Sequence, residues 1–221
     1  MDEGPQVTTA HEVRIILVRH GQTDWSDERY MGREDVSLND TGRAQATRLV
    51  DLLAREQIDA IWSSPLARAR QTSGPLAAQR GVGVTIVDDL VEMDYGHMQG
   101  VRKADRRIHI KEDHVVDPIP GGESLTDVAR RADQVCTRLS QELVPGVTLV
   151  MIGHYRVSQF VLGAMSGRSF EEVIEEPGYR PGNGTAYAVD CVLRPDQRLT
   201  ATSARYVANA DAATTTSAPG T

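Results

Sequence analysis

An arginine and a histidine close an apolar run near the start of this chain. The segment Leu17-Val18-Arg19-His20-Gly21-Gln22-Thr23 ends a stretch, Val13 to Val18, that Arg14 alone interrupts. Such a run reads as a buried strand. Open α/β sheets keep their sites in the crevice beyond the carboxyl ends of the strands, and a strand ending here delivers Arg19 and His20 to that place. Arg19 offers a fixed charge and planar donors suited to phosphate oxygens. His20 offers a ring nitrogen that can be neutral, and so nucleophilic, near pH 7. The chemistry suggested is phosphoryl transfer through a phosphohistidine.

Three further segments carry residues that fit. Ser63-Ser64-Pro65-Leu66-Ala67-Arg68-Ala69-Arg70-Gln71-Thr72 follows a strand pattern and opens a helix. A helix N-terminus favours anions, and Arg68 in the first turn can point to the same place, whereas Arg70 and Arg80 read as solvated. Leu90-Val91-Glu92-Met93-Asp94-Tyr95-Gly96 sets two carboxylates between a strand and a glycine turn. Glu92 and Asp94 are rival candidates to protonate a leaving oxygen. Thr148-Leu149-Val150-Met151-Ile152-Gly153-His154-Tyr155-Arg156 repeats the opening arrangement, an apolar strand that ends in a histidine where a helix begins. A lone strand-end histidine is commonly structural. Two of them on neighbouring parallel strands bring two imidazoles to one phosphate.

Alternating elements must position these groups. Helical spacing follows a cap at Leu38-Asn39-Asp40 and runs from Thr41 to Arg55. A short strand spans Ile58 to Trp62. A helix from Leu66 to Arg80 closes at Gly81 and is expected to break or kink at Gly74-Pro75. Val82 to Val87 reads as a strand. Ser124-Leu125-Thr126-Asp127 is a capping box that opens a helix to Leu143. Pro145-Gly146 turns into the strand Val147 to Ile152, and Tyr155 to Met165 is helical. Ala186 to Val192 and Arg198 to Val207 are late strands joined by a turn at Pro195-Asp196. This alternation predicts an α/β protein, a three-layer α/β/α sandwich around a mainly parallel sheet. Residues 1–11 read as a flexible arm and 208–221 as a disordered tail, leaving one domain over 12–207.

Bulk composition narrows the function. The 24 Lys and Arg against 31 Asp and Glu give a net charge of −7, which argues against nucleic-acid and anionic-membrane partners. A phosphate site must then be a local basic pocket in an acidic molecule. Cys136 and Cys191 lie far apart without a C-x-x-C spacing and read as free thiols. No apolar run reaches the ~18 residues of a membrane span, and the acidic Met1-Asp2-Glu3 does not read as a secretory signal. A cytoplasmic location is expected.

Taken together, the motifs resemble the histidine phosphatase superfamily, also called the phosphoglycerate mutase-like family. The matching residues are Arg19-His20-Gly21-Gln22-Thr23-Asp24-Trp25, Gly32, Leu38 through Gly42-Arg43-Ala44-Gln45-Ala46, and Ser63 through Thr72. Glu92, Asp94-Tyr95-Gly96, Gln99-Gly100, Pro120-Gly121-Gly122-Glu123-Ser124 and Gly153-His154 complete the set. The likeness spans residues 12 to 207 in chain order, and the combination is far more specific than any one piece. It implies that His20 is the nucleophile and that Arg19, Arg68 and His154 clamp the phosphoryl oxygens. It makes Glu92 the general acid and then the base, and it makes Gln22, Thr23, Ser26 and Tyr155 further phosphate-binding positions. It implies no metal and no cofactor, in keeping with a sequence that lacks Asp/His clusters at metal-ligand spacing.

The chain departs from the family in places. Ser26 stands where Asn is usual, Gln22 where Glu is commoner, and Tyr155-Arg156 where Gly-Gly usually follows the second histidine. The family's mutases carry a long insertion in the interval that here runs from Glu92 to Glu123. The short interval implies a small cap around 93–122 and a phosphatase acting on a small phosphorylated metabolite. Phosphoglycerate mutase-type transfer, and a repurposed phosphate-binding protein obstructed by Tyr155, are the alternatives. Val101 to Pro118 reads as the substrate-facing cap, with Arg102, Lys103, Arg106, Arg107, His109, Lys111 and His114. Any of these that point inward imply a substrate with additional negative charge. The strand at Arg198 to Val207 offers an edge for a homodimer.

Overall fold

The structure, a computed structural model, describes residues 11–175, 180–194 and 198–209. Its strands are β1 (His11–Arg19), β2 (Ala60–Ser63), β3 (Val84–Ile86), β4 (Thr148–Gly153), β5 (Thr185–Leu193) and β6 (Leu199–Asn209). Its helices are α1 (Asp40–Leu52), α2 (Ala67–Arg80), α3 (Ile110–Asp113), α4 (Leu125–Glu142), α5 (Tyr155–Met165) and α6 (Phe170–Glu175). The strands form a six-stranded sheet in the order β3-β2-β4-β1-β5-β6. β3, β2, β4 and β1 run parallel, and β5 and β6 form an antiparallel pair beside β1. The expected mainly parallel sheet is therefore present.

Side-chain alternation along β1 builds the three layers. Val13, Ile15 and Leu17 pack on one face with Val128, Ala132, Val135 and Leu139 of α4 and Val157 and Val161 of α5. Ile16 and Val18 pack on the other with Leu49 of α1 and Ala69 and Leu76 of α2. A strand covered on both faces must be apolar on both, which explains the unbroken run that the sequence shows.

The caps fall where their chemistry requires. The Asn39 side chain accepts from the Gly42 N–H at 2.9 Å. The Ser124 hydroxyl accepts from the Asp127 N–H at 3.1 Å, while the Asp127 carboxylate accepts from the Ser124 N–H at 3.0 Å. The expected break at Gly74-Pro75 is corrected: α2 continues through Pro75. Gly74 has no Cβ to collide with the proline ring, so the residue before proline can stay helical. The Thr72 hydroxyl also donates to the Arg68 carbonyl at 2.7 Å, and the Ser73 hydroxyl to the Arg70 carbonyl at 2.8 Å.

Other boundaries move by a few residues. β1 starts at His11, inside the expected arm, and β6 runs to Asn209, two residues into the expected tail. The remainder of both termini, and the turn at Pro195-Asp196, lie outside the described residues. Cys136 and Cys191 are free thiols, the first on α4 and the second in β5. No helix among the described residues is long and apolar enough to cross a membrane.

One close approach ties the loop after β1 to α1. A Cβ on Gly21 would lie 2.6 Å from the Gly42 carbonyl oxygen, and a Cβ on Gly42 would overlap the Gln22 backbone. Only two glycines let these backbones touch. Gly42→Ala is therefore expected to destabilise the protein by about 1–3 kcal/mol, the range for overpacking. Urea denaturation checks this, with Gly83→Ala as the neutral control because a Cβ there meets nothing within 4 Å.

Candidate active site

Register places the chemistry. Arg19 lies opposite Gly153 in the parallel β1–β4 ladder, so the next residue on each strand is a histidine. The His20 N–H donates to the Gly153 carbonyl at 3.1 Å. The two imidazole centroids stand 5.0 Å apart, with ring planes inclined at 54°. Both rings are buried.

The His20 tautomer is fixed by its neighbour. Nδ1 lies 2.7 Å from the Gly21 carbonyl oxygen. A carbonyl only accepts, so Nδ1 carries the hydrogen and Nε2 of the neutral ring keeps its lone pair. Burial, then the charges of Arg68 and Arg19, holds the His20 pKa well below 6.5. The same burial and the Arg68 charge hold His154 low. Neutral rings in a cationic pocket are what a nitrogen nucleophile for phosphorus requires.

The guanidiniums are held by carbonyls. Arg68 is 1 % exposed and donates to the Gly32 and Glu34 carbonyls, each at 2.7 Å. Burial lowers its pKa to about 10, so it stays charged at neutral pH. Arg19 donates to the Pro181 carbonyl at 2.9 Å. His154 Nε2 sits 2.8 Å from the Ser64 hydroxyl. Arg19 Nε, Arg68 Nε and His154 Nδ1 are buried without a hydrogen-bond partner among the described residues. Orphaned donors of this kind are costly in a fold and fit a site built to receive anionic oxygens.

The two carboxylate candidates separate. Glu92 lines the same cavity, of about 600 Å³, as Arg19, His20 and Arg68. One of its oxygens accepts from the Met93 N–H at 2.9 Å and from the Arg156 N–H at 3.2 Å. Asp94 is outside that wall. It accepts from the Gly96 N–H at 2.8 Å and faces Arg33 at 3.7 Å.

Of the remaining expected positions, Ser26 and Tyr155 line the cavity. Gln22 and Thr23 are outside that wall. The Gln22 N–H is taken by Gln45 Oε1 at 2.7 Å and its side chain by Asn39. The Thr23 N–H is taken by Ser26 Oγ at 3.0 Å. Both brace the loop. In the cap, Lys103, Arg107, His109 and Lys111 line the cavity. Arg102 does not, and it pairs with Asp105 at 3.0 Å; Arg106 and His114 also lie outside the wall. A cap of loops and one short helix has no period from which an inward face can be read.

Several supports escaped sequence reasoning. Asn183 Nδ2 donates to the His20 carbonyl at 3.1 Å, and the Gly184 N–H donates to the Arg19 carbonyl at the same distance. Thr72 Oγ accepts from the Gly21 N–H at 3.0 Å. Arg131 donates to the Asp89 and Val91 carbonyls at 2.7 and 2.6 Å and to Glu123 at 3.0 Å. Glu123 in turn accepts from Arg33 at 2.6 Å and from the Asp94 N–H at 2.9 Å. This network clamps residues 89–94, the segment that presents Glu92. Glu123 stood in the quoted Gly121-Gly122-Glu123-Ser124 motif, but nothing in its spacing named its partners.

With this geometry in place, comparison with known proteins is decisive on class. The model of the histidine phosphatase superfamily (branch 1) matches residues 15–188, and the chain belongs to that family. Phosphoglycerate mutase-like protein 4 of Arabidopsis thaliana is 34% identical over 173 residues, covering 72% of this chain and 75% of that one. A Mycobacterium tuberculosis protein described as bifunctional is 37% identical over 150 residues, covering 64% of this chain. That match spans 41% of the bifunctional protein's length. Among solved structures, the mycobacterial glucosyl-3-phosphoglycerate phosphatase superposes with a TM-score of 0.74 at 25% identity, covering 91% of this chain and 99% of that one.

Two outcomes test the site. Both histidines are neutral in the folded chain, while an unfolded chain protonates them as pH falls through 6.5. The unfolded state then binds more protons, so their stability contribution is full above pH 6.5 and is lost below it. The slope reaches about 2.7 kcal/mol per pH unit for two groups. Tm measured by calorimetry is expected to fall on acidification from pH 7, and less steeply in a His20→Asn, His154→Asn double variant. Arg131→Ala leaves Glu123 and two carbonyls short of a donor and is expected to cost about 3 kcal/mol, measured by denaturant midpoint.

Proposed function

We propose that the protein is a metal-independent phosphomonoesterase that hydrolyses a small phosphorylated metabolite through a phosphohistidine on His20. The observation that carries this reading is the fixed His20 tautomer, whose Nε2 lone pair lies beside Arg19 and Arg68 in one cavity with Glu92. The family and the named phosphatase among its structural neighbours support the class.

The steps balance as follows. Nε2 attacks phosphorus, and the P–O bond to the leaving group breaks as Glu92 gives its proton to that oxygen. Arg19, Arg68 and His154 hold the equatorial oxygens while charge spreads over them. Water then attacks phosphorus and loses a proton to Glu92. The P–N bond breaks, and its electron pair returns to Nε2. Ser26 and Tyr155, in the cavity wall, are further contacts for the bound group.

The short cap supports hydrolysis over transfer, because it leaves room for water at the phosphohistidine. Incubation with a labelled phosphomonoester, followed by alkaline denaturation to preserve the P–N bond, is expected to trap label on the protein and to release inorganic phosphate. His20→Ala is expected to abolish both. Glu92→Gln is expected to lower kcat by about 10²–10⁴, the usual worth of general acid–base catalysis. Activity is expected to persist in a chelator. An isomerised phosphoester in place of free phosphate marks a mutase, and no label on any ester marks a binding protein.

A further inference from the structure

We propose that the same cavity contains a second anion subsite, built by Arg156 with Lys103, Arg107 and Lys111, and that the substrate is a phosphomonoester bearing a second anionic group. This rests on the phosphatase reading for the first phosphate and adds what the rest of the molecule must carry.

Charge in the wall is the first argument. Among the described residues, seven Arg and Lys side chains and three Asp and Glu line the cavity, in a protein of net charge −7. Arg19 and Arg68 account for one phosphate dianion, and Glu92 works on the leaving oxygen. Five cations remain, against Asp27 and Glu112. A water-filled cavity with such a surplus concentrates anions of higher charge.

Arg156 is the second argument. It is the second residue of α5, directly after Tyr155, and its guanidinium lies 5.2 Å from the Tyr155 ring centroid. Nη1 donates to Gln159 Oε1 at 3.2 Å. These contacts orient the group without neutralising it. No carboxylate among the described residues pairs with it within 4.0 Å. Lys103, Arg107 and Lys111 likewise form no ion pair among the described residues, and the Lys103 ammonium rests 6.0 Å from the Tyr30 ring centroid. Arg156 follows the second histidine by two residues while the three others come from the cap. The subsite therefore draws its charge from both the α5 side and the cap side of one cavity. A planar guanidinium held on an aromatic face suits a carboxylate or a phosphate equally.

Binding of non-hydrolysable ligands tests this without relying on turnover. A series of phosphonocarboxylates and bisphosphonates of increasing chain length is titrated by calorimetry, each against the alkylphosphonate of the same length. At one length the doubly anionic ligand is expected to bind about tenfold or more tighter, which corresponds to ~1.4 kcal/mol. The carboxylate and phosphonate arms tell which second group is preferred. Arg156→Gln is expected to shrink that ratio at least about fivefold, with partial recovery in Arg156→Lys; a ratio cancels any general loss of affinity. Equal binding across all pairs, or a ratio untouched both in Arg156→Gln and in a Lys103→Gln, Arg107→Gln, Lys111→Gln variant, overturns the subsite. His20-dependent phosphate release from simple alkyl phosphates reports separately on hydrolysis. Its presence with equal binding removes the subsite and leaves the hydrolase, and its absence with charge-dependent binding does the reverse.

Discussion

The pairing of Arg19 with Gly153 across two parallel strands is the constraint on which the site depends. A one-residue slip would send every side chain of β1 to the opposite face. The core forbids that slip, because Ile15 and Leu17 fill one layer and Ile16 and Val18 the other. Packing energy spread over the sheet thus fixes the position of two imidazoles. Precision at the site is a by-product of the core.

The pocket is electrostatically expensive. Arg68 is buried with carbonyl partners and no ion pair among the described residues, beside two buried neutral histidines. Concentrated positive charge without a resident anion destabilises the free protein and favours the anion-bound one. A fold that carries concentrated buried charge gives up stability locally and recovers it when an ion of opposite sign binds. The carbonyls of Gly32 and Glu34 limit the penalty by orienting the guanidinium before any ligand arrives.

Much of this was legible in the sequence. The apolar runs of β1 and β4 each ended in a histidine, so the two strand ends announced the site. The capping box at Ser124, the cap at Asn39 and the alternation of strands and helices gave the layers. Three things were not legible. Gln22 and Thr23 sit in the conspicuous motif, yet they lie outside the cavity wall and bond Gln45, Asn39 and Ser26, and spacing cannot show which residues of a motif line the cavity. The cap has no periodicity, so Arg102 and Lys103 look alike although one faces outward and the other inward. Pro75 looked like a helix breaker, and the glycine before it removed one of the steric reasons.

The bond from Asn183 to the His20 carbonyl joins residues 163 positions apart. The backbone at His20 is therefore fully held only once a segment 163 positions further along the chain has docked. His20 precedes in synthesis the segment that braces it, so the brace always arrives after the residue it holds. Long loops must close before this contact rewards them, which slows folding. A chain in which this contact has not yet closed carries His20 without its brace, so the histidine and its support come together only with tertiary assembly.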